Sequence, residues 1–178
     1  MSNALQATQR WLEQWVIGLN LCPFARFPYE QDKVRLVVCE PDNEDEVFRF
    51  VLGELDYLYQ HSETETTVVI MENALADFSE YLDLLGVIES VLPQTGLEGI
   101  LQVASFHPDY YFEGVDQNDV SNYTNRSPYP LFHLIREESL EKAVASYDNP
   151  EMIPENNMAL MQSMGLEKVK SLLAEIKG

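Results

Sequence analysis

"TTVVIM", residues 66–71, is the stretch that decides the fold, because it is a short, nearly continuous run of β-branched and apolar side chains. A run this short and uniform predicts a strand that is covered on both faces. "KVRLVVCE" (33–40) and "GILQVASF" (99–106) have a similar composition and predict two more strands. Residues 66–71 are therefore expected to lie within a sheet that packs between two layers.

Helical patterns separate these strands. "PDNEDEV" (41–47) supplies an Asp or Asn cap and an acidic first turn for one helix, and a second apolar helical repeat runs from Phe78 to Leu92 before Pro93 and Gly96. Strands that alternate with single helices need crossover connections and favour parallel pairing. We predict an α/β fold with a largely parallel sheet of three to four strands flanked by helices.

The ends of the chain are predicted to be helical. Apolar residues recur at helical spacing from Leu5 to Leu19, and Asn20 and Pro23 should end that helix. "ESLEKAVASY" (138–147) predicts another helix, and the C-terminal part predicts one helix or a pair broken near Gly165. We expect a helical C-terminus and one domain spanning residues 1–178.

Residues 107–130 interrupt the alternation, because they have no periodic pattern and several turn-forming residues. Loops of this length are uncommon in compact domains and are usually functional. "PLFHLI" (130–135) predicts a fourth strand, and we place it at an edge of the sheet because Pro130 lacks a backbone N–H.

Composition excludes several partners. The formal charge of −19 and the pI of about 4.3 should repel phosphate backbones, so nucleic acid is not expected as a partner. No segment approaches the ~18 apolar residues of a membrane helix, so no membrane association is expected. Cys22 and Cys39 are too few for a disulfide framework, which predicts a cytoplasmic protein with free thiols.

The candidate site lies in "SFHPDYYFEG" (105–114) and "NRSPYPLFHLIRE" (125–137), which carry two of the three histidines and two arginines. Arginine binds carboxylate or phosphate through paired hydrogen bonds, and histidine exchanges protons near neutral pH. We predict a small-molecule enzyme that binds an anionic ligand through Arg126, with His107 as acid or base and Asp109 orienting it. Other predicted ligand-binding residues are Asn125, Ser127, Tyr129, His133 and Arg136.

This arrangement depends on the direction of the fourth strand. If it runs antiparallel to the third strand, the long loop returns Arg126 to the edge that holds His107, and His133 and Arg136 lie further along the strand. The alternative is that both arginines form ion pairs with the abundant acids and that His133 is a core residue.

Cys22 is the third predicted catalytic residue, either as a nucleophile or as a supporting wall. A reactive thiol needs a lowered pKa. The C-terminus of the first helix would disfavour the thiolate, whereas a new turn beginning at Pro23 would make Cys22 its N-cap and favour it. A buried, unreactive thiol is the alternative.

A divalent metal site is a third hypothesis. The carboxyl ends of parallel strands share one edge of a sheet, and acidic or polar residues follow each predicted strand. They are equally suited to capping helices or facing solvent, and we assign none as a metal ligand. The residues are Glu40, Asp42, Glu72, Asn73, His107 and Asp109. The glycine-rich signatures of nucleotide cofactors are absent from the sequence, and the cofactor is left open.

Three blocks, "LNLCPFA" (19–25), "FHPDYYFEG" (106–114) and "NRSPYPLFHLIRE", resemble the bacterial family catalogued as domain of unknown function 1415. The resemblance spans nearly the whole chain. It implies a distinct domain and a cytoplasmic bacterial protein, but no activity, cofactor or substrate. The alternative to an enzyme is a non-catalytic binding or regulatory module, whose acidic surface meets a basic partner while residues 107–137 form a structural clasp.

Overall fold

A computed structural model describes residues 2–178. In chain order the helices and strands are α1 (Asn3–Arg10), a π-helix (Trp11–Ile17), α2 (Arg26–Glu30), β1 (Val34–Cys39), α3 (Glu44–Gln60), β2 (Thr66–Met71), α4 (Phe78–Thr95), β3 (Leu101–Phe106), a 3-10 helix (Val120–Asn125), β4 (Leu131–Arg136), α5 (Glu137–Ala145), a second 3-10 helix (Pro150–Met152), α6 (Ile153–Met164) and α7 (Leu166–Lys177). The four strands and the helices α3 to α5 begin and end close to the predicted signals, whereas α2, the π-helix and the 3-10 helices were not predicted.

The four strands form one mixed sheet in the order β1-β2-β4-β3. β1 and β2 pair in parallel, with Val34 opposite Thr66, whereas β4 runs antiparallel to both β2 and β3. The prediction of a largely parallel sheet is therefore wrong. The reason is that β4 inserts between β2 and β3 and runs antiparallel to both. Of the three strand pairs in the sheet, β1–β2 is therefore the parallel one.

The edge position predicted for the fourth strand is also wrong, because β4 lies between two partners. Pro130 immediately precedes β4 and needs no ladder N–H there. Its carbonyl accepts a hydrogen bond of 3.0 Å from the N–H of Met71, so the proline contributes to the pairing. A proline at the first position of a strand is compatible with a central location.

Helices cover both faces of the sheet. The side chains of Val69 and Met71 join the core against α3 and α4, and those of Val68 and Ile70 join the core against α1, the π-helix, α6 and α7. All six residues of β2 are buried, which confirms that this strand is covered on both faces.

Local signals explain where the helices begin and end. The side chain of Asn43 accepts a hydrogen bond of 3.1 Å from the N–H of Glu46 and caps α3. Gly96 has a φ of 74° and ends α4, and Gly165, with a φ of 80°, separates α6 from α7. Within residues 2–178, no helix combines the length and apolar character needed to cross a membrane.

Candidate functional site

A cleft of about 560 Å³ opens on the face of the sheet opposite α3 and α4. Its floor includes Val68, His133 and Ile135, one wall is the segment from Cys22 to Tyr29, and the other wall is α5. The volume and the mainly apolar lining fit a small molecule.

The cleft exists because α5 does not close onto the sheet. Leu140 and Ala143 face the cleft, and no residue of α5 is fully buried. An amphipathic helix normally buries its apolar side against the core. Here that side borders open space, which leaves room for a ligand.

His133 lines the cleft and binds the protein through one ring nitrogen. Its Nε2 lies 2.6 Å from Oγ1 of Thr66, and that hydroxyl donates to the carbonyl of Leu134 at 2.6 Å. Because a hydroxyl has one proton, we assign the remaining proton to Nε2 of His133, which donates to Thr66. Nδ1 then keeps its lone pair, and it forms no hydrogen bond with any residue between 2 and 178.

Burial lowers the pKa of His133 to about 4. The ring is therefore neutral at pH 7 and acts as a hydrogen-bond acceptor at Nδ1. The residue is partly exposed and lines the cleft.

Cys22 lies in the same cleft and is partly exposed. Burial raises the pKa of its thiol, although the backbone N–H groups of Phe24 and Ala25 act in the opposite direction. The turn that begins at Pro23 is present, since the N–H of Ala25 donates to the carbonyl of Cys22 at 3.1 Å. Because burial outweighs the turn, Cys22 is held as a thiol at neutral pH.

Basic side chains border the cleft. Lys33, Arg136 and Lys142 line it together with one acid, Glu65. Lys142 pairs with Glu138, whereas Lys33 has no ion pair within the described residues 2–178. Lys33 is therefore available to attract an acidic group at the rim.

Arg136 is occupied by the backbone. Its Nε donates to the carbonyl of Thr64 at 3.0 Å, and one Nη donates to the carbonyls of His61, at 2.9 Å, and Leu58. These acceptors follow or end α3, where unpaired carbonyls carry partial negative charge. Arg136 thus ties the end of α3 to β4.

His107 belongs to a different region of the molecule. It is fully buried, and its ring packs against Phe78 and Tyr81 of α4, with centroid distances of 5.1 and 5.0 Å. Nε2 donates to the carbonyl of Leu75 at 2.9 Å, and Nδ1 accepts from the N–H of Asp109 at 3.0 Å. Both ring nitrogens are therefore engaged by the protein.

Leu75 explains why this contact matters for the fold. Its φ of 58° lies in the left-handed region, which is unfavourable for a bulky side chain. The hydrogen bond from His107 stabilises this turn between β2 and α4. Asp109 orients the ring through its backbone N–H, while burial lowers the pKa of His107.

Arg126 is held against the long loop. Its Nε donates to the carbonyl of Tyr110 at 3.1 Å, and one Nη donates to the carbonyl of Gln117 at 2.9 Å. The guanidinium lies over the ring of Tyr123, 4.2 Å from its centroid. These contacts fasten the 107–130 segment to itself.

The antiparallel return of β4 brings part of the predicted set together. The N–H of His107 donates to the carbonyl of Asn125 at 3.3 Å, and the N–H of Ser127 donates to the carbonyl of His107 at 3.4 Å. Oγ of Ser127 donates to the carbonyl of Tyr129 at 2.6 Å. The structure therefore forms two groups: His107, Asp109, Asn125, Arg126, Ser127 and Tyr129 around the loop, and Cys22, His133 and Arg136 around the cleft.

Sequence reasoning missed several cleft residues, including Thr66, Leu140 and Ala143. The signal for α5 was its apolar side, but that pattern equally describes a helix packed on the core. As for metals, no group of three or more His, Cys, Asp and Glu side chains suited to hold an ion occurs within residues 2–178.

Comparison with known proteins gives a family and no further relative. The model of the family described as "Protein of unknown function (DUF1415)" matches residues 3–171 of the 178. No curated protein and no solved structure matches the chain.

Proposed function

The chain belongs to this family of unknown function, and we propose that it binds a small molecule with an apolar body and an acidic group in the cleft beside Cys22 and His133. The observation that carries the proposal is the open Nδ1 of His133 at the floor of a mainly apolar space of about 560 Å³. A few polar groups within an apolar cleft are typical of small-molecule sites.

The apolar lining selects the body of the ligand. Leu12 and Val68 lie deep in the protein, and Phe24, Phe27 and Tyr147 add aromatic surface. Phe24 and Tyr147 contact each other edge to face at 5.4 Å and join the two walls. Phe27 is 70% exposed, so its ring is free to cover a bound molecule.

The rim selects the acidic group. Three of the chain's 11 basic residues line the cleft, although the protein carries 30 acids. Lys33 is the member without an ion pair in the described chain. An anionic head beside Lys33 would leave the apolar body near Val68 and a hydrogen-bond donor near His133.

The test uses Cys22 as a reporter of occupancy. Cys39 is fully buried, so iodoacetamide should alkylate Cys22 alone in the folded protein. We expect straight-chain carboxylates of about six to twelve carbons to slow this alkylation, and the matching alcohols to slow it less. Changes in the NMR chemical shifts of the backbone amides of Ile135 and Leu140, as the carboxylate is added, provide a second readout that needs no alkylating reagent.

Two alanines of α5 give a matched pair of variants. Ala143 lines the cleft, whereas Ala145 lies outside it and is exposed. Ala143→Trp should fill the cleft and abolish both the protection and the shifts, and Ala145→Trp should preserve them. The proposal fails if none of these carboxylates or alcohols changes either readout, or if Ala143→Trp binds them as well as the wild-type protein does.

Catalysis in the same cleft is a second candidate function. The specific observation is that the Cys22 thiol and the open Nδ1 of His133 line one space. His133 would accept the thiol proton when a substrate excludes water. The raised pKa of Cys22 favours the role of a supporting wall while the cleft is empty.

The pH dependence of alkylation separates these roles. A nucleophile activated by His133 should give rapid alkylation near neutral pH, and His133→Phe should abolish it. A supporting wall should react slowly until the pH exceeds the ordinary pKa of cysteine, and His133→Phe should leave that profile unchanged.

We further propose that the chain works as one domain in the bacterial cytoplasm. The support for this is the two free cysteines, which suit a reducing compartment, together with the family resemblance. The net charge of −19 also disfavours nucleic acid as a partner.

A further inference from the structure

A second recess gathers basic side chains near the end of the long loop. It has a volume of about 180 Å³ and lies between the segment from Arg126 to Pro128 and α7. Lys170 and Lys177, which are two helical turns apart on one side of α7, line it with Arg126. Three cations thus meet in one small space.

These cations are not neutralised by the protein. The chain has 30 acids and 11 bases, so an ion pair is the expected state of a basic side chain. Yet within residues 2–178, Arg126, Lys170 and Lys177 have no carboxylate oxygen within 4.0 Å. The recess therefore keeps its positive charge in an otherwise acidic protein.

Arg126 is fixed in place but not fully used. The carbonyls of Tyr110 and Gln117 hold its Nε and one Nη, and the Tyr123 ring supports one side of the guanidinium. The other Nη donates no hydrogen bond to any residue in the described range 2–178. A guanidinium that is already oriented loses little side-chain entropy when it binds an anion.

The two lysines complete the donors. Lys177 lies over the ring of Tyr129, 5.1 Å from its centroid, and Lys170 is exposed. Glu175, an acid on the same helix, accepts a hydrogen bond of 3.2 Å from Ser171, and neither residue lines the recess. The side of α7 that faces the loop therefore presents positive charge.

We propose that this recess is a binding site for a phosphate group, with Arg126, Lys170 and Lys177 as its donors. Three cations favour a doubly charged oxyanion over a single carboxylate, because each adds attraction in a field that is otherwise negative. The site is independent of the cleft beside His133, which lies on a different set of residues.

The experiment uses inorganic phosphate and the full chain. Backbone amide shifts of Ser127 and Ala174 are followed as phosphate replaces chloride at constant ionic strength. We expect saturable shifts for the wild-type protein. The double variant Lys170→Gln, Lys177→Gln should bind phosphate more weakly, with a Kd that is about tenfold higher.

A control with the same change of charge identifies the site. Arg49→Gln with Lys168→Gln removes two exposed basic side chains that line neither the recess nor the cleft, and it should leave the Kd within about twofold. Equal weakening in both double variants, or equal shifts with acetate and phosphate, would overturn the proposal, as would the lack of any saturable shift. Phosphate should leave Cys22 alkylation unchanged, which separates this result from the test of the cleft.

Discussion

The two faces of the sheet use their histidines in different ways. On the face covered by α3 and α4, both nitrogens of His107 bind the protein, through Leu75 and Asp109. On the other face, His133 lines the cleft and binds Thr66 through Nε2, and its Nδ1 has no hydrogen-bond partner within residues 2–178. One ring is thus fully used in holding the chain, and the other keeps an acceptor for a ligand.

The difference shows that burial alone does not assign a role. Burial lowers the pKa of both histidines, so both rings are neutral at pH 7. What distinguishes them is the number of partners that the backbone supplies. His107 sits in a turn-rich segment with free N–H and C=O groups nearby, whereas His133 lies in a strand whose backbone groups are paired in the sheet.

The largest expected effect comes from His107→Ala. The variant removes a fully buried ring and leaves the carbonyl of Leu75 and the N–H of Asp109 without partners. We expect the free energy of unfolding to fall by about 4 kcal/mol, measured by urea denaturation. His61→Ala is the control and should cost about 1 kcal/mol, since His61 is only partly buried. Similar losses in the two variants would show that His107 does not have the structural role described.

The next effect is the pH dependence given by His133. Its pKa of about 4 in the folded protein lies below the ordinary value of 6.5, so the unfolded chain binds the proton first. This contribution to stability is complete above pH 6.5 and is lost as the pH falls toward 4. Between pH 7 and pH 5 we expect a loss of about 2 kcal/mol from this group.

His133→Phe isolates that contribution. The variant cannot take up the proton, so its stability should fall less than that of the wild-type protein over the same pH range, as measured by urea denaturation at each pH. All other titrating groups are common to both proteins, and the difference between the two curves reports His133. Parallel curves would mean that His133 titrates in the folded state as it does in the unfolded chain, and the neutral acceptor in the cleft would have to be abandoned.

The same comparison shows what the sequence could predict. The uniform run at 66–71 predicts β2 to the residue, because a covered strand leaves its pattern in adjacent positions. The place of β4 depends on pairing between segments more than 60 residues apart, as with Val68 and His133, and no local pattern records it. Pro130 indicated an edge strand because it lacks a backbone N–H, but it precedes β4, and its carbonyl accepts a hydrogen bond from Met71.

The sequence singles out the candidate residues but does not show how they group in the fold. Cys22, His133 and Arg126 stand out because reactive and basic side chains are scarce in this acidic chain. In the fold, Cys22 and His133 line the cleft and Arg126 belongs to the loop. What each side chain binds depends on which backbone groups remain unpaired after folding. That is decided by the insertion of β4, so an error in strand order carries over to the site.

The smallest effect tests the hydrogen bond that leaves His133 with one open nitrogen. Thr66→Val keeps the shape of the side chain but removes the hydroxyl that accepts from Nε2 of His133. We expect the free energy of unfolding to fall by about 1 kcal/mol, because a donor at Nε2 is left without its partner. Thr66→Ser retains the hydroxyl and should recover most of that loss.

A double-mutant cycle tests whether the two side chains depend on each other. Thr66→Val should cost less in the His133→Phe background than in the wild-type protein, because the ring that donates to the hydroxyl is already absent. If the two losses are additive, Thr66 does not hold the His133 tautomer. The ring would then be free to present either nitrogen to the cleft, and the two faces of the sheet would differ in burial pattern rather than in how their histidines are fixed.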